Sequence, residues 1–277
     1  MAEAPEVLVI NLDRSPDRMA FMAGQLEALG LDFTRLAATD ANSISESEFS
    51  RLSGTYMRPI TRTELACLTS HMLAWRHCVA GNRPVLVLED DVFLSDRLPS
   101  FLVGLSGLGA LDIVNIETRG DKKWVSNKPL LSTPVSDVWL YTLYIDRGGS
   151  AGYVVWPEAA GKLLKRAECR AAPSDAFLNL SGIPRLQAEP GLVSPIYESG
   201  EGSRKIEPAF RSTIVLPSRK SRMALALFRP RFKLRRLAGY IALTVRKLMT
   251  TGVGIRRQIA VCPTILVHAD NWSLSHG

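Results

Sequence analysis

Pro84-Val85-Leu86-Val87-Leu88-Glu89-Asp90-Asp91 is the stretch on which the fold turns. Four aliphatic residues in a row have no polar face. Such a run suits a strand covered on both sides, as in a parallel sheet with helices above and below it. Three carboxylates follow directly. In open α/β sheets the C-terminal edge of the strands is where ligands bind. Adjacent carboxylates repel one another unless a cation joins them. Their oxygens suit a hard divalent ion, Mg²⁺ or Mn²⁺, which in turn can hold a diphosphate. The alternative is a solvated acidic turn that caps the next helix.

Working outward, Val7 to Leu12 reads as a buried first strand. Ser15-Pro16 starts a helix, because proline tolerates the first helical position, and Gly30 ends it. Phe33 to Leu36 is a second strand, completing a parallel βαβ unit. Asn11, Asp13, Arg14 and Arg18 then share an edge with the acidic triplet, and arginine suits phosphate. Alternatively, Arg14 and Arg18 lie on the helix surface beside Asp13 and Asp17. A helix over Ser43 to Leu52 belongs to an insert. A longer one, Thr63 to Ala80, carries Leu65, Leu68, Met72, Trp75 and Val79 at helical spacing. Glu64, Ser70 and His71 lie close together on it, either facing the site or, for His71, serving as a satisfied core histidine.

Asp112 to Ile116 is a further strand, 120–139 a polar excursion, Ala151 to Trp156 a strand and Pro157 to Ala167 a helix. The Gly-, Pro- and Ser-rich stretch 190–206 reads as a loop or lid. Asp175, after Pro173-Ser174, is either a helix N-cap or a general base. A closing strand, Ile259 to Val267, brings His268 and Asp270 to its end, where His268 is a candidate third metal ligand beside Asp91 and Asp90.

The pieces Ile10 to Arg18, Glu64 to His71 with Trp75, Val87 to Val92, Gly152-Tyr153 with Ala159-Ala160 and Lys162 to Leu164, and Pro173 to Asp175 occur in a set order. Together they resemble glycosyltransferase family 25, the bacterial lipooligosaccharide galactosyltransferases and their collagen-modifying relatives. The resemblance covers roughly residues 7 to 206. It implies a GT-A-like nucleotide-diphosphosugar fold, a UDP-sugar donor, a glycan acceptor on a lipid carrier and inversion at the anomeric carbon. The acidic triplet corresponds to the family's DxD-like metal motif. Asn11, Arg14, Arg18, Ser70, His71, Glu89 and Asp90 would bind the donor, and Asp175, or second Glu117, would be the base. Asn115 to Arg119 departs from the apolar, Gly-containing strand end expected there, and Thr69 stands where a small apolar residue is more usual.

The net charge of +7 is unevenly spread. Residues 208–269 contain 13 Lys and Arg and no Asp or Glu, so the rest is mildly acidic. The chain therefore divides into a catalytic part, 1–207, and a basic amphipathic segment with a closing strand, 208–277. Leu234, Leu237, Ile241, Val245 and Leu248 make one helical stripe, flanked by Lys233, Arg235, Arg236, Arg246 and Lys247. An anionic membrane surface is the expected partner. Nucleic acid is not, since the tail offers few aromatics for stacking: Phe228, Phe232 and Tyr240. The alternative is that the stripe packs on the catalytic part. Four scattered cysteines without a CxxC pair, no basic leader and no long apolar run favour the cytoplasmic side of the membrane. Two rival functions are a nucleotidyltransferase, disfavoured because the turn Leu12 to Pro16 lacks glycine, and a non-catalytic glycan-binding or scaffold protein.

Overall fold

The computed structural model describes residues 3–133, 135, 137–146, 148–196 and 230–265. Within them one large sheet runs in the order β12-β6-β8-β10-β5-β9-β3-β1-β2, with β7 added beside β8. Its strands are β1 (Glu6–Asn11), β2 (Phe33–Ala37), β3 (Val85–Glu89), β5 (Ile113–Asn115), β6 (Lys122–Ser126), β7 (Leu131–Ser132), β8 (Trp139–Ile145), β9 (Gly152–Val155), β10 (Arg185–Glu189) and β12 (Gly254–Gln258). β1 pairs in parallel with β2 and β3, and β5 with β10. β9 runs antiparallel between β3 and β5. Most strands therefore point one way, with β8, β9 and β12 reversed. β4 (Val92–Leu94) and β11 (Val193–Pro195) form a separate antiparallel pair.

The aliphatic runs are buried on both faces, which is why they lack a polar alternation. Val7 and Val9 of β1 pack with Met22 and Leu26 of α1 (Pro16–Ala28) and with Phe101 and Leu105 of α4 (Leu98–Ser106). Leu8 and Ile10 face the opposite core, built on Trp75 of α3 (Arg62–Gly81), Ala159 and Leu163 of α5 (Pro157–Ala167) and Phe177 of α6 (Ser174–Leu180). This is the expected GT-A-like α/β architecture, helices flanking a mostly parallel sheet. α3 starts at a capping box in which Thr61 and Glu64 satisfy each other's backbone N–H, and it ends at Asn82 in the left-handed conformation. The insert is a 3₁₀ turn (Ala41–Ser43) followed by α2 (Glu46–Leu52), capped by Ser45.

Several expectations are corrected. Residues 120–139 are not a polar excursion: they contain β6 and β7. Lys123 points inward in β6 because Asp146 neutralises it at 2.8 Å, so a charged residue conceals a buried strand. The closing strand lies earlier than expected, at β12, whose polar residues suit a sheet edge. Ile259, Cys262 and Ile265 instead pack into the core as separate anchors. Part of the expected lid is β11; its remainder from 197 onward lies outside the described residues, as do the 207/208 boundary and the end of the expected last strand. The basic tail's helix, α7, spans Pro230–Met249.

Candidate active site

The C-terminal ends of β1 and β3 open onto a cleft of about 320 Å³. Arg14, Arg18, Ser70, His71, Glu89, Asp90, Asp91 and Arg119 are among its lining. The three carboxylates are not equivalent. Asp90 turns towards the protein: Arg18 Nη1 donates to its Oδ1 at 2.9 Å and Asn11 Nδ2 to its Oδ2 at 2.7 Å. Asn11 is itself committed, giving its other N–H to the Ser15 carbonyl and accepting from Arg35 Nε at 2.9 Å. The pair Asn11–Asp90 thus ties the end of β1 to the end of β3. Arg18 is buried rather than surface-exposed, and its Nη1 also lies 3.3 Å from Asp91 Oδ2. Arg14 is half exposed at the rim, where it pairs with Asp40.

Glu89 and Asp91, two residues apart, line the same cleft. Burial, and then the neighbouring charge of Glu89, push Asp91 up to about 7 despite Arg18. Burial raises Glu89 as well, but His71 and a Ser150 hydroxyl at 3.0 Å pull it below its ordinary value. A carboxylate that ionises only near neutrality beside one already ionised is a site short of positive charge. Its oxygen donors fit a hard divalent cation. A tighter group, Cys67, His71 and Glu89, has ligand atoms within 4.8 Å of one another. That set fits a hard cation less well, because it offers one carboxylate beside a thiol and an imidazole, softer donors than Mg²⁺ or Mn²⁺ prefers. Asp90, with both oxygens held by protein donors, braces the site instead of offering a free ligand. His268 lies outside the described residues.

His71 belongs to a buried row. Trp75 Nε1 donates to the Tyr153 hydroxyl at 2.8 Å, and that hydroxyl lies 3.0 Å from His71 Nδ1. His71 Nε2 lies 3.4 Å from Glu89 Oε1. Nε2 is buried with no hydrogen bond of normal geometry. Ser70, on the same helix, accepts from the Thr39 backbone N–H at 2.9 Å and so fixes the loop after β2. Glu64 faces away, bonded to Arg58 at 2.9 Å and to the α3 cap.

The two nominated bases differ in setting. Asp175 is not the N-cap of α6, a place taken by Pro173. It sits in the first turn, where its Oδ1 accepts from the Ala176 N–H at 2.6 Å. Burial raises its carboxyl, the charge of Glu89 raises it further, and Arg119 lowers it, so all three share one electrostatic neighbourhood. Glu117 is buried, accepting from the Ala151 N–H at 2.8 Å and lying 3.3 Å from Arg119 Nε. Burial pushes it up to about 7, against the pull of Lys123 and Arg119. Ser150 and Arg119 are site residues that sequence reasoning did not single out, and Tyr153 entered there only as part of the family pattern. Ser150 and Tyr153 reach the site because β9 is antiparallel, which brings its N-terminal end to the same edge as the C-terminal end of β3.

Residues 4–178 match the family model described as glycosyltransferase family 25 (LPS biosynthesis protein). A glycosyltransferase 25 family member of Aedes aegypti is 26% identical over 191 residues, covering 62% of this chain and 30% of its own. Procollagen galactosyltransferase 1 of Danio rerio is 28% identical over 234 residues, 71% of this chain and 37% of its own. A probable inactive glycosyltransferase 25 family member 3 of Rattus norvegicus is 32% identical over 102 residues, 33% of this chain and 18% of its own. The chain thus spans about a third of the length of the first two relatives. With the family model matched over more than half of its length, the chain belongs to glycosyltransferase family 25.

Proposed function

We propose that the chain is an inverting glycosyltransferase that moves a hexose, galactose, from a UDP-sugar to a lipid-linked glycan of the lipooligosaccharide type, at the cytoplasmic face of the membrane. The observation that carries this reading is the pairing of Glu89 and Asp91 in one cleft with Arg14, Arg18 and Arg119, in a chain of this family. Acids for a cation beside guanidinium groups for phosphate are what a nucleoside diphosphate requires. The galactose assignment follows the procollagen galactosyltransferase relatives.

Glu89 and Asp91 would hold Mn²⁺ or Mg²⁺, which supplies positive charge to the departing diphosphate. Asn11 and Asp90 keep the two strand ends at a fixed separation. Arg14 and Arg119 attract the diphosphate from the rim. Asp175 takes the proton of the acceptor hydroxyl as its oxygen forms the new bond to the anomeric carbon. The bond to UDP breaks, and UDP leaves with the electron pair. Its raised carboxyl makes Asp175 a stronger base than an exposed aspartate, once ionised. Glu117, through Ala151, and Tyr153, through His71, position the cleft wall.

The test is calorimetric titration of UDP and UDP-galactose, with and without Mn²⁺, into the wild type and Asp91→Asn. Mn²⁺-dependent binding that the variant loses supports the reading. Folded protein that binds no UDP ligand under either condition would instead match the non-catalytic alternative, which the name of the rat relative favours.

A further inference from the structure

We infer that α7 is a docking helix that lies flat on an anionic lipid surface. Phe232, Gly239, Leu243 and Arg246 form its protein-facing side. Phe232 and Gly239 are buried, Gly239 against Met57, and Arg246 donates to the carbonyls of Tyr144 and Asn179 at 3.1 and 3.0 Å. At 100° per residue, Leu234, Leu237, Ile241, Val245 and Leu248 fall on the opposite side, away from the domain. They are exposed, from 45% at Val245 to 68% at Leu234. An aligned row of large aliphatic side chains facing water is a surface awaiting an apolar partner.

Charge identifies the partner. Arg231 flanks the stripe on one side and Lys233 and Lys247 on the other, while Arg235 turns back to donate to the Gly54 carbonyl, and α7 has no acidic residue. An apolar face between two basic margins matches a bilayer interface with anionic headgroups: aliphatic groups enter the acyl boundary while the cations reach phosphate. The cavity of about 480 Å³ where α7 meets α6 adds to this. It is lined by Arg166, Arg170 and Arg235, with apolar walls from Phe177 and Ala238 and no carboxylate among the described residues. No helix among the described residues is long and apolar enough to cross a membrane, so α7 would lie on the surface. Its neighbour α6 carries Asp175, which would bring the proposed base close to the membrane plane. The inference goes beyond the proposed transfer and does not need it.

The test is flotation of the full chain with vesicles of phosphatidylcholine alone or mixed with phosphatidylglycerol. Two double variants are compared, Leu237→Glu/Ile241→Glu and Lys233→Glu/Lys247→Glu, each confirmed folded by circular dichroism and thermal melting. Capture by the anionic vesicles, reduced about tenfold in either variant and weakened by salt, is expected. Equal capture by both vesicle types, or unchanged capture of both variants, would overturn it. So would a wild-type dimer, seen by light scattering, that Leu237→Glu/Ile241→Glu abolishes without any lipid capture, since a second copy would then own the stripe. Flotation needs no sugar donor, so its failure leaves the donor-site reading standing, and failure of UDP binding leaves this one standing.

Discussion

Replacing Arg18 by Met tests the electrostatic design of the site. Met preserves much of the stem's packing while deleting the charge. Arg18 is buried and holds Asp90 at 2.9 Å and Asp91 at 3.3 Å. Removing one partner of a buried pair costs about 3–5 kcal/mol, because the other charge is left uncompensated. Asp91 keeps some access to water, with 23% of its side chain exposed, so the lower end applies. A loss of about 3 kcal/mol is a large part of the roughly 5–15 kcal/mol of an ordinary domain. The loss should depend on pH. Asp91 is raised to about 7 in the native state, from an ordinary value of 3.8. Between those values the native state binds more protons than the unfolded state, so stability falls as pH rises through that window. Without Arg18 the native value climbs further, and the decline steepens and extends upward. Urea unfolding of wild type and Arg18→Met, at about pH 5 and about pH 8 with unchanged m-values, measures this. The full deficit is expected at the higher pH and a smaller one at the lower. A deficit under about 1 kcal/mol at the higher pH, or an equal deficit at both, would show that Arg18 is not the counter-charge of this site.

Glu117→Gln should flatten the pH dependence of stability. Burial raises Glu117 from 4.5 to about 7, so wild type loses stability as pH rises across that interval, and the variant should gain up to about 3 kcal/mol relative to it by pH 8; parallel profiles in thermal melts would contradict this. Tyr153→Phe removes the hydroxyl that serves Trp75 and His71, leaving two buried polar groups without their partner, at about 2–3 kcal/mol in urea unfolding with a shift of Trp fluorescence. A change under about 0.5 kcal/mol would mean that the row is not a connected network.

The parallel core and its ligand-bearing edge were legible in the sequence because both follow from local chemistry. The runs Val7 to Ile10 and Val85 to Leu88 contain no polar face, and strands buried on two sides need none. Pro16 and Gly30 mark the ends of α1 through backbone rules that hold in any fold. The aliphatic stripe of α7 was equally visible, since helical spacing alone defines it. Direction and partnership were not legible. Nothing local in Gly152 to Val155 tells that β9 runs against β3 and β5, yet that reversal carries Ser150 to Glu89 and Tyr153 to His71. Lys123 reads as a surface residue until Asp146 neutralises it. Within Glu89-Asp90-Asp91 the residues look interchangeable in sequence. Asn11 bonds Asp90 and Arg18 sits nearer Asp90 than Asp91, which makes Asp90 a brace and leaves Asp91 as the carboxyl that burial raises. Periodicity is a property of neighbours along the chain; the ionisation and pairing of a buried charge depend on groups that folding alone brings beside it.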